Sequence, residues 1–371
     1  MGLKIYSSTL SLGGNLAISI KEALQGVPAD SICGVVFYGT SSETEYHQLL
    51  DTLKTTLLHS LGHRVPVTLI PQYLLPEGGL ALEIYTLEGA EIIIQERNGI
   101  CYGLIGDDRE RMLFFEGIPA ADFSDSVSKQ SKEVFGKVED LLTAFGYEVD
   151  DIVRQWNFIG SIVSYRDGKQ NYQEFNDART LYYAKGEWKR GYPAATGIGA
   201  SGDCIIVGGI AFKKADAEED GIYPIDNPLQ IAAHVYSKRV LVDDAENAMK
   251  STPKFERAKL IETARGACCF VSGTAAIRGE ESMDASSARL QTIKTIENIE
   301  YLVSKENLVR FGCRPYDLNY VKLLVYIKEA EDYEEVRAVV EERFPQLPVI
   351  YTIADVCRSE LLVEIEGILI S

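Results

Sequence analysis

Five secondary-structure elements occur twice along this chain in one order, and that repetition constrains the fold more than any other feature of the sequence. The first pass is a helix over 124–145, a strand over 153–159, a helix over 171–184, an extended segment over 193–200 and a strand over 204–212. The second is a helix over 286–304, a strand over 321–327, a helix over 331–344, an extended segment over 348–356 and a strand over 361–370. The helices show in apolar residues three and four apart. Val127, Val134, Val138, Leu141, Leu142 and Phe145 form one face, which Gly146 ends. The strands show as apolar, β-branched runs such as VKLLVYI and LLVEIEGILI.

Each pass follows a strand-rich segment, 80–118 or 204–277, so each unit reads as α+β, a mixed sheet covered by helices on one face. The acidic turn KKADAEEDG at 213–221 is the expected junction. It divides the chain into a unit over 1–215, with an N-terminal extension, and a unit over 216–371. In the extension CGVVFY (33–38) reads as a buried strand, and Tyr46, Leu49, Leu50, Leu53, Leu57 and Leu61 mark a helix over 43–61 that stops at Gly62. The runs LALEIYTL, AEIIIQERN, GICYGLIGD and MLFFEGI then predict an antiparallel meander over 80–118.

Composition narrows the function. With 37 Lys+Arg against 55 Asp+Glu the net charge is −18, which opposes binding to nucleic acid or to an anionic membrane surface, since both attractions come from basic residues. An anionic small molecule would need local arginines. No apolar run reaches the length of a membrane span, and the first twenty residues carry no basic stretch followed by a long apolar run. The seven cysteines, at 33, 101, 204, 268, 269, 313 and 357, show no paired spacing, and a reduced, cytoplasmic protein is expected. His59 and His63 have metal-like spacing, but no glutamate follows the first and Gly62 breaks the helix, so they read as surface residues.

The second unit resembles the RidA/YjgF family in FVSGTAAIRGEES (270–282), LQTIKTIENIEYLV (290–303), VYIKEAEDYEEV (325–336) and VEIEGI (363–368), which stand in that family's order. Further segments are similar to the chorismatase family, whose chains hold two such units: WNFIG (156–160), NYQEFNDAR (171–179), YPAATGIGA (192–200), DNPLQ (226–230), YSKR (236–239), PKFERA (253–258), SGTAAI (272–277) and ADVCRSELLVEIEG (354–367). The resemblance implies tandem RidA/YjgF-like (chorismate mutase-like) units, the second one catalytic, and removal of the enolpyruvyl group of chorismate as pyruvate without metal or cofactor. Two stretches depart from the family's pattern. Residues 240–252 form a longer link, and 278–287 lack its glycine, histidine and aspartate pattern.

Glu364 is the expected general acid. It stands in an apolar strand on one face with Leu362 and Glu366, and the repeat sets Ile206 opposite it, so the fold itself accepts an apolar side chain there. Read without the repeat, it is a solvent-facing glutamate on an edge strand. Burial would raise its pKa toward neutrality, and a protonated carboxyl can give a proton to the terminal methylene of an enol ether. In the resembled family a glutamate at this position has that role.

Arg337 falls where simple RidA proteins place a substrate-facing asparagine and is matched by Asn176 in the first unit, and that resemblance implies a fork for a substrate carboxylate. Its plain alternative is a helix-surface partner of Glu334 or Asp332. Cys357, expected at the turn of the hairpin ending in Glu364, and Gly273 in the SGTA turn match the positions that separate product classes in the resembled family. Cysteine with glycine implies 3-hydroxybenzoate. Thr274, Tyr236, Arg257 and Gln230 are supporting polar candidates, and alternation would turn Arg358 to the opposite face from Cys357. Left open are a hydrolytic chorismatase giving a dihydroxycyclohexadiene carboxylate or 4-hydroxybenzoate, an imine or enamine deaminase of the RidA kind, a non-catalytic sensor, and a monomer or small homo-oligomer.

Overall fold

The computed structural model describes residues 2–10, 15–40, 43–107, 109–166, 168–215, 221–235, 237 and 251–371. The N-terminal segment forms β1 (Leu3–Leu10), α1 (Leu16–Ala23), β2 (Ile32–Gly39), α2 (Glu43–Leu61), β3 (Val67–Ile70), β4 (Tyr73–Leu74) and β5 (Leu80–Leu87). Next come β6 (Ile92–Arg97), β7 (Ile100–Gly106), β8 (Glu110–Pro119), α3 (Val127–Ala144), β9 (Ile152–Gly160), the short hairpin β10 (Tyr165–Arg166) and β11 (Lys169–Gln170), α4 (Asn171–Tyr183), β12 (Ala194–Ala200) and β13 (Ile205–Lys214). The C-terminal unit holds β14 (Ile222–Ile225), β15 (Ala258–Thr263), β16 (Gly266–Ala275), the hairpin β17 (Ile277–Arg278) and β18 (Glu281–Ser282), α5 (Ala288–Leu302), α6 (Lys305–Arg310), β19 (Asn319–Ile327), α7 (Tyr333–Arg343), β20 (Val349–Ile353) and β21 (Val363–Ile370).

The two tandem α+β units expected from the repeat are present, as sheets ordered β12-β9-β13-β8-β7-β6 and β14-β15-β16-β21-β19-β20-β4. In each, a helix connects two parallel strands, and the last strand returns antiparallel beside the first of them. α2 and α4 start where the periodicity places them, whereas α3, α5 and α7 start two or three residues later. Ser126 and Ser287 cap α3 and α5 by accepting from the backbone N–H of Lys129 and Leu290.

The meander expected over 80–118 is shorter than the sequence suggested. Only β6, β7 and β8 form it, while β5 sits between β1 and β2 in a separate sheet ordered β1-β5-β2-β3. The N-terminal extension thus runs α1, β2, α2, β3, β5 with the same parallel and antiparallel pairings. It is a third, smaller copy of the repeat.

Register relates the copies residue by residue. A register shift precedes the pairs Gly34↔Tyr85, Arg154↔Ile210 and Lys322↔Ile368. Four residues farther along lie Tyr38↔Ala81, Phe158↔Ile206 and Tyr326↔Glu364. Glu364 therefore has Ala81 and Ile206 as counterparts, so the pairing with Ile206 expected from the sequence is the one the strands make.

The two faces of the C-terminal sheet have different partners. Val363, Ile365 and Leu369 pack under α5 and α7 with Ile296, Ile299, Val336 and Val340. On the other face Phe270, Leu324, Tyr326 and Ile368 join the large core shared with the other two sheets. Glu364 and Glu366 alternate onto this inner face. Among the described residues no helix is long and apolar enough to cross a membrane.

A candidate active site between the units

A cleft of about 750 Å³, open solvent at its mouth included, lies where the inner face of the C-terminal sheet meets the first unit. α4 contributes Tyr172, Gln173 and Asn176, and β12 contributes Ala195 and Gly197. The C-terminal unit contributes Phe255, Arg257, Gly273, Ala275, Cys357, Arg358 and Glu364. Its size and its mixed apolar and charged lining suit a small organic anion.

Glu364 lies at the base of the cleft and is only 5% exposed. β21 is an interior strand, with Ala275 of β16 and Tyr326 of β19 on either side of Glu364, so the edge-strand reading of this residue is excluded. Burial, then the charge of Glu366, push its carboxyl up to about 8, against the lowering effect of Arg257 and Arg154. Near neutral pH it carries a proton. Glu366 behaves oppositely. Burial raises it, but Arg154, Lys322, Thr196 and Trp156 outweigh burial and hold it at about 2.

Gly273 is required by contact rather than by backbone freedom, since its φ is not in the left-handed region. A Cβ there would fall inside the contact distance of Glu364 Oε1, 2.8 Å from its Cδ and 3.2 Å from Thr196 Cγ2. Residues 272–275, expected as a turn, lie in β16 at a register shift, and the Gly273 N–H donates to Thr196 Oγ1 at 3.1 Å, which docks β16 against β12. Gly117 repeats this arrangement in the first unit: its N–H donates to Thr68 at 2.7 Å, and Ile206 stands where Glu364 does.

Cys357 lines the cleft and is half-buried, whereas the other six cysteines are buried. Burial and the nearby Glu364 push its thiol up to about 12, so it presents a small neutral surface and not a thiolate. It does not lie on a hairpin turn, as the sequence suggested. β20 and β21 flank β19 on opposite sides, and residues 354–362 form an irregular connection between them. Strand alternation does not govern that connection, and Arg358 therefore faces the same cleft as Cys357.

The remaining candidates divide. Arg257, 3% exposed, lines the cleft and donates to the Ile231 carbonyl at 2.9 Å. Arg337 is not in the cleft: it lies on the outer side of α7, bonded to Glu334 at 3.1 Å and Glu341 at 3.0 Å. The helix-surface reading is the one its position supports. Thr274 is buried with its hydroxyl on the Ser272 carbonyl, and Gln230 bridges to Gly279 and accepts from Asn227; neither lines the cleft. Tyr236 lies outside the described residues.

Sequence reasoning left out Tyr172, Gln173, Phe255, Gly197 and the groups behind Glu364, because they come from another unit or another turn. The available signal was a charged residue inside an apolar strand: Arg154 in IVRQWNFIG, Lys322 in NYVKLLVYI and Glu83 in LALEIYTL each require a buried partner.

Fold and site together define an α+β protein of tandem units, each a mixed sheet with helices, and a buried carboxyl of raised pKa in the cleft between them. The family described as chorismatase FkbO/Hyg5-like, N-terminal, matches residues 97–211. A 3-hydroxybenzoate synthase of Streptomyces hygroscopicus is 32% identical over 285 residues, 74% of this chain and 77% of that one. A chorismatase of Streptomyces rapamycinicus is 32% identical over 246 residues, 63% of this chain and 68% of that one. The crystal structure of a chorismatase shares the fold, with a TM-score of 0.73 over 100% of this chain and 99% of that one at 22% identity. The chain belongs to the chorismatase family.

Proposed function

We propose that this protein cleaves chorismate to pyruvate and 3-hydroxybenzoate, with Glu364 as the acid. The observation that carries the reading is a neutral carboxyl at the base of a cleft that also contains Arg257 and Arg358. Those cations offset the unfavourable net charge for a dianionic substrate. Glu364 gives its proton to the methylene carbon of the enolpyruvyl group, which becomes the methyl of pyruvate. The ether bond to the ring breaks, and its electron pair forms the keto group. The neighbouring ring hydroxyl attacks the carbon that loses the ether oxygen, and its proton returns to Glu364. The resulting arene oxide opens to the phenol, so no water is consumed.

Cys357 and Gly273 supply small neutral surfaces beside the acid, which supports the intramolecular route over attack by water. The C-terminal unit, 216–371, supplies the acid, and α4 and β12 supply the facing wall. The test is to incubate purified protein with chorismate, assay pyruvate, and separate the ring product by liquid chromatography. In deuterated water the pyruvate methyl should gain deuterium. In 18O-water the 3-hydroxybenzoate should stay unlabelled. A labelled ring product, or Glu364→Gln at full rate, refutes the mechanism.

A further inference from the structure

The mechanism gives no task to Glu366, the second carboxyl on the same strand face. Glu366 is 1% exposed and does not line the cleft. Five donors hold it: Arg154 Nη2 at 2.8 Å, Thr196 Oγ1 at 2.6 Å, Trp156 Nε1 at 2.9 Å, Tyr326 hydroxyl at 3.1 Å and Lys322 Nζ at 3.3 Å. Lys322 is also 2.9 Å from Glu83 of the N-terminal sheet and donates to the Tyr85 hydroxyl at 2.7 Å. Tyr38 and Tyr85 in turn donate to Glu83 at 2.8 and 3.1 Å. A buried ladder of alternating charge, Glu83, Lys322, Glu366, Arg154, thus spans all three sheets and ends beside the acid.

Two adjacent carboxyls in a low-dielectric interior cannot both ionise cheaply, and the one with more donors takes the charge. Glu366 has five, whereas Glu364 Oε1 faces the bare Cα of Gly273. We propose that Glu366 is a positioning residue of the reaction: its donor cage assigns the single proton of the carboxyl pair to Glu364. This rests on the reading of Glu364 as the acid. The other groups around Glu364 do not compete for the proton. Tyr326 on β19, Tyr172 on α4 and Cys357 are kept neutral by burial, while Arg154 on β9 and Arg257 act on Glu364 in the lowering direction, and Arg358 is a further cation lining the cleft.

The test is the pH dependence of kcat/KM on chorismate for the wild type, Glu366→Gln and Glu366→Asp. The wild-type rate should fall as pH passes about 8, where Glu364 loses its proton. Glu366→Gln removes the repelling charge and leaves Arg154 and Lys322 in place, so the fall should begin at least about one pH unit lower. Glu366→Asp keeps the charge and should keep the wild-type limb at a lower rate. A Glu366→Gln limb coinciding with the wild type, whatever the loss of rate, overturns the proposal and leaves a structural role.

Should Glu366→Gln fail to fold, infrared titration of the wild type decides. Among the buried carboxylic-acid bands, the one absent in Glu364→Gln is expected to titrate near 8. Glu116 and Glu256 are also raised by burial, so the deciding band is one that persists in Glu364→Gln between pH ~5 and ~7 and moves when Glu366→Asp is added; it would place a proton on Glu366 and overturn the proposal. The infrared measurement needs no turnover, so its outcome is separable from a failure of the protein to cleave chorismate.

Discussion

Replacing Gly273 by alanine isolates the geometric requirement at the acid. The new Cβ would stand 2.8 Å from Glu364 Cδ and nearer still to its Oε1, whereas carbon atoms settle at about 3.5–4.0 Å, so the carboxyl must retreat by at least roughly 0.7–1.2 Å. The backbone there is not left-handed and the colliding group ends a side chain, so overpacking should cost about 1–3 kcal/mol and the fold should survive. A displacement of about 1 Å at a reacting group costs on the order of 10²-fold in rate, about 2.7 kcal/mol of activation free energy. Formation of 3-hydroxybenzoate should fall by that order.

Gly117→Ala is the matched control, because its Cβ would meet Thr68 Cγ2 at 2.5 Å and Ile206 Cγ2 at 3.0 Å, in the copy without the acid. Both variants should lose comparable thermal stability, and only Gly273→Ala should lose turnover. The assay is steady-state kcat with chromatographic quantification of the ring products, alongside thermal melts. Wild-type kcat and product ratio in Gly273→Ala, or equal rate losses in both variants, would refute the reasoning.

Glu364→Gln should lower kcat by about 10²–10⁴-fold, the usual contribution of a general acid. It should also stabilise the protein at alkaline pH. A carboxyl raised from 4.5 to about 8 binds more protons folded than unfolded between those values, so wild-type stability from this group declines as pH rises through that window. Melts at pH 5 and pH 9 should therefore show the Gln variant gaining on the wild type, and a constant difference would contradict the raised pKa. Arg337→Ala should leave kcat/KM within about two-fold and stability within ~0.5 kcal/mol, as for other exposed ion pairs; a large rise in KM would return Arg337 to the site. Arg257→Met should raise KM for chorismate at least about ten-fold, measured by initial rates, through loss of a charge-assisted contact.

The element order of the two large copies was legible because periodicities near 3.6 and 2 survive in α3, β9, β19 and β21 whatever they pack against. The third copy was not, because the short turn from β5 to β6 makes four strands read as one meander, and only pairing shows that β5 leaves it. Glu364 and Cys357 could be singled out from the repeat and the family's pattern. Arg337 could not be resolved, since an i,i+4 arrangement with Glu341 looks the same in sequence whether the arginine faces substrate or solvent. The cage around Glu366 joins residues as far apart as 154 and 366, and no local pattern encodes which strands converge.

Three copies in one polypeptide are free to differ, which three identical subunits are not. Gly34, Arg154 and Lys322 occupy one position of the repeat, as do Glu83, Gly208 and Glu366, yet the cations and anions are distributed unequally among them. In a symmetric assembly a lysine at that position would come three at a time around the axis, with like charges facing one another in the interior. Joining the copies lifts that restriction. One copy can keep the acid, the others can bury alanine and isoleucine in its place, and a single compensated line of charge can cross the centre without being copied by rotation.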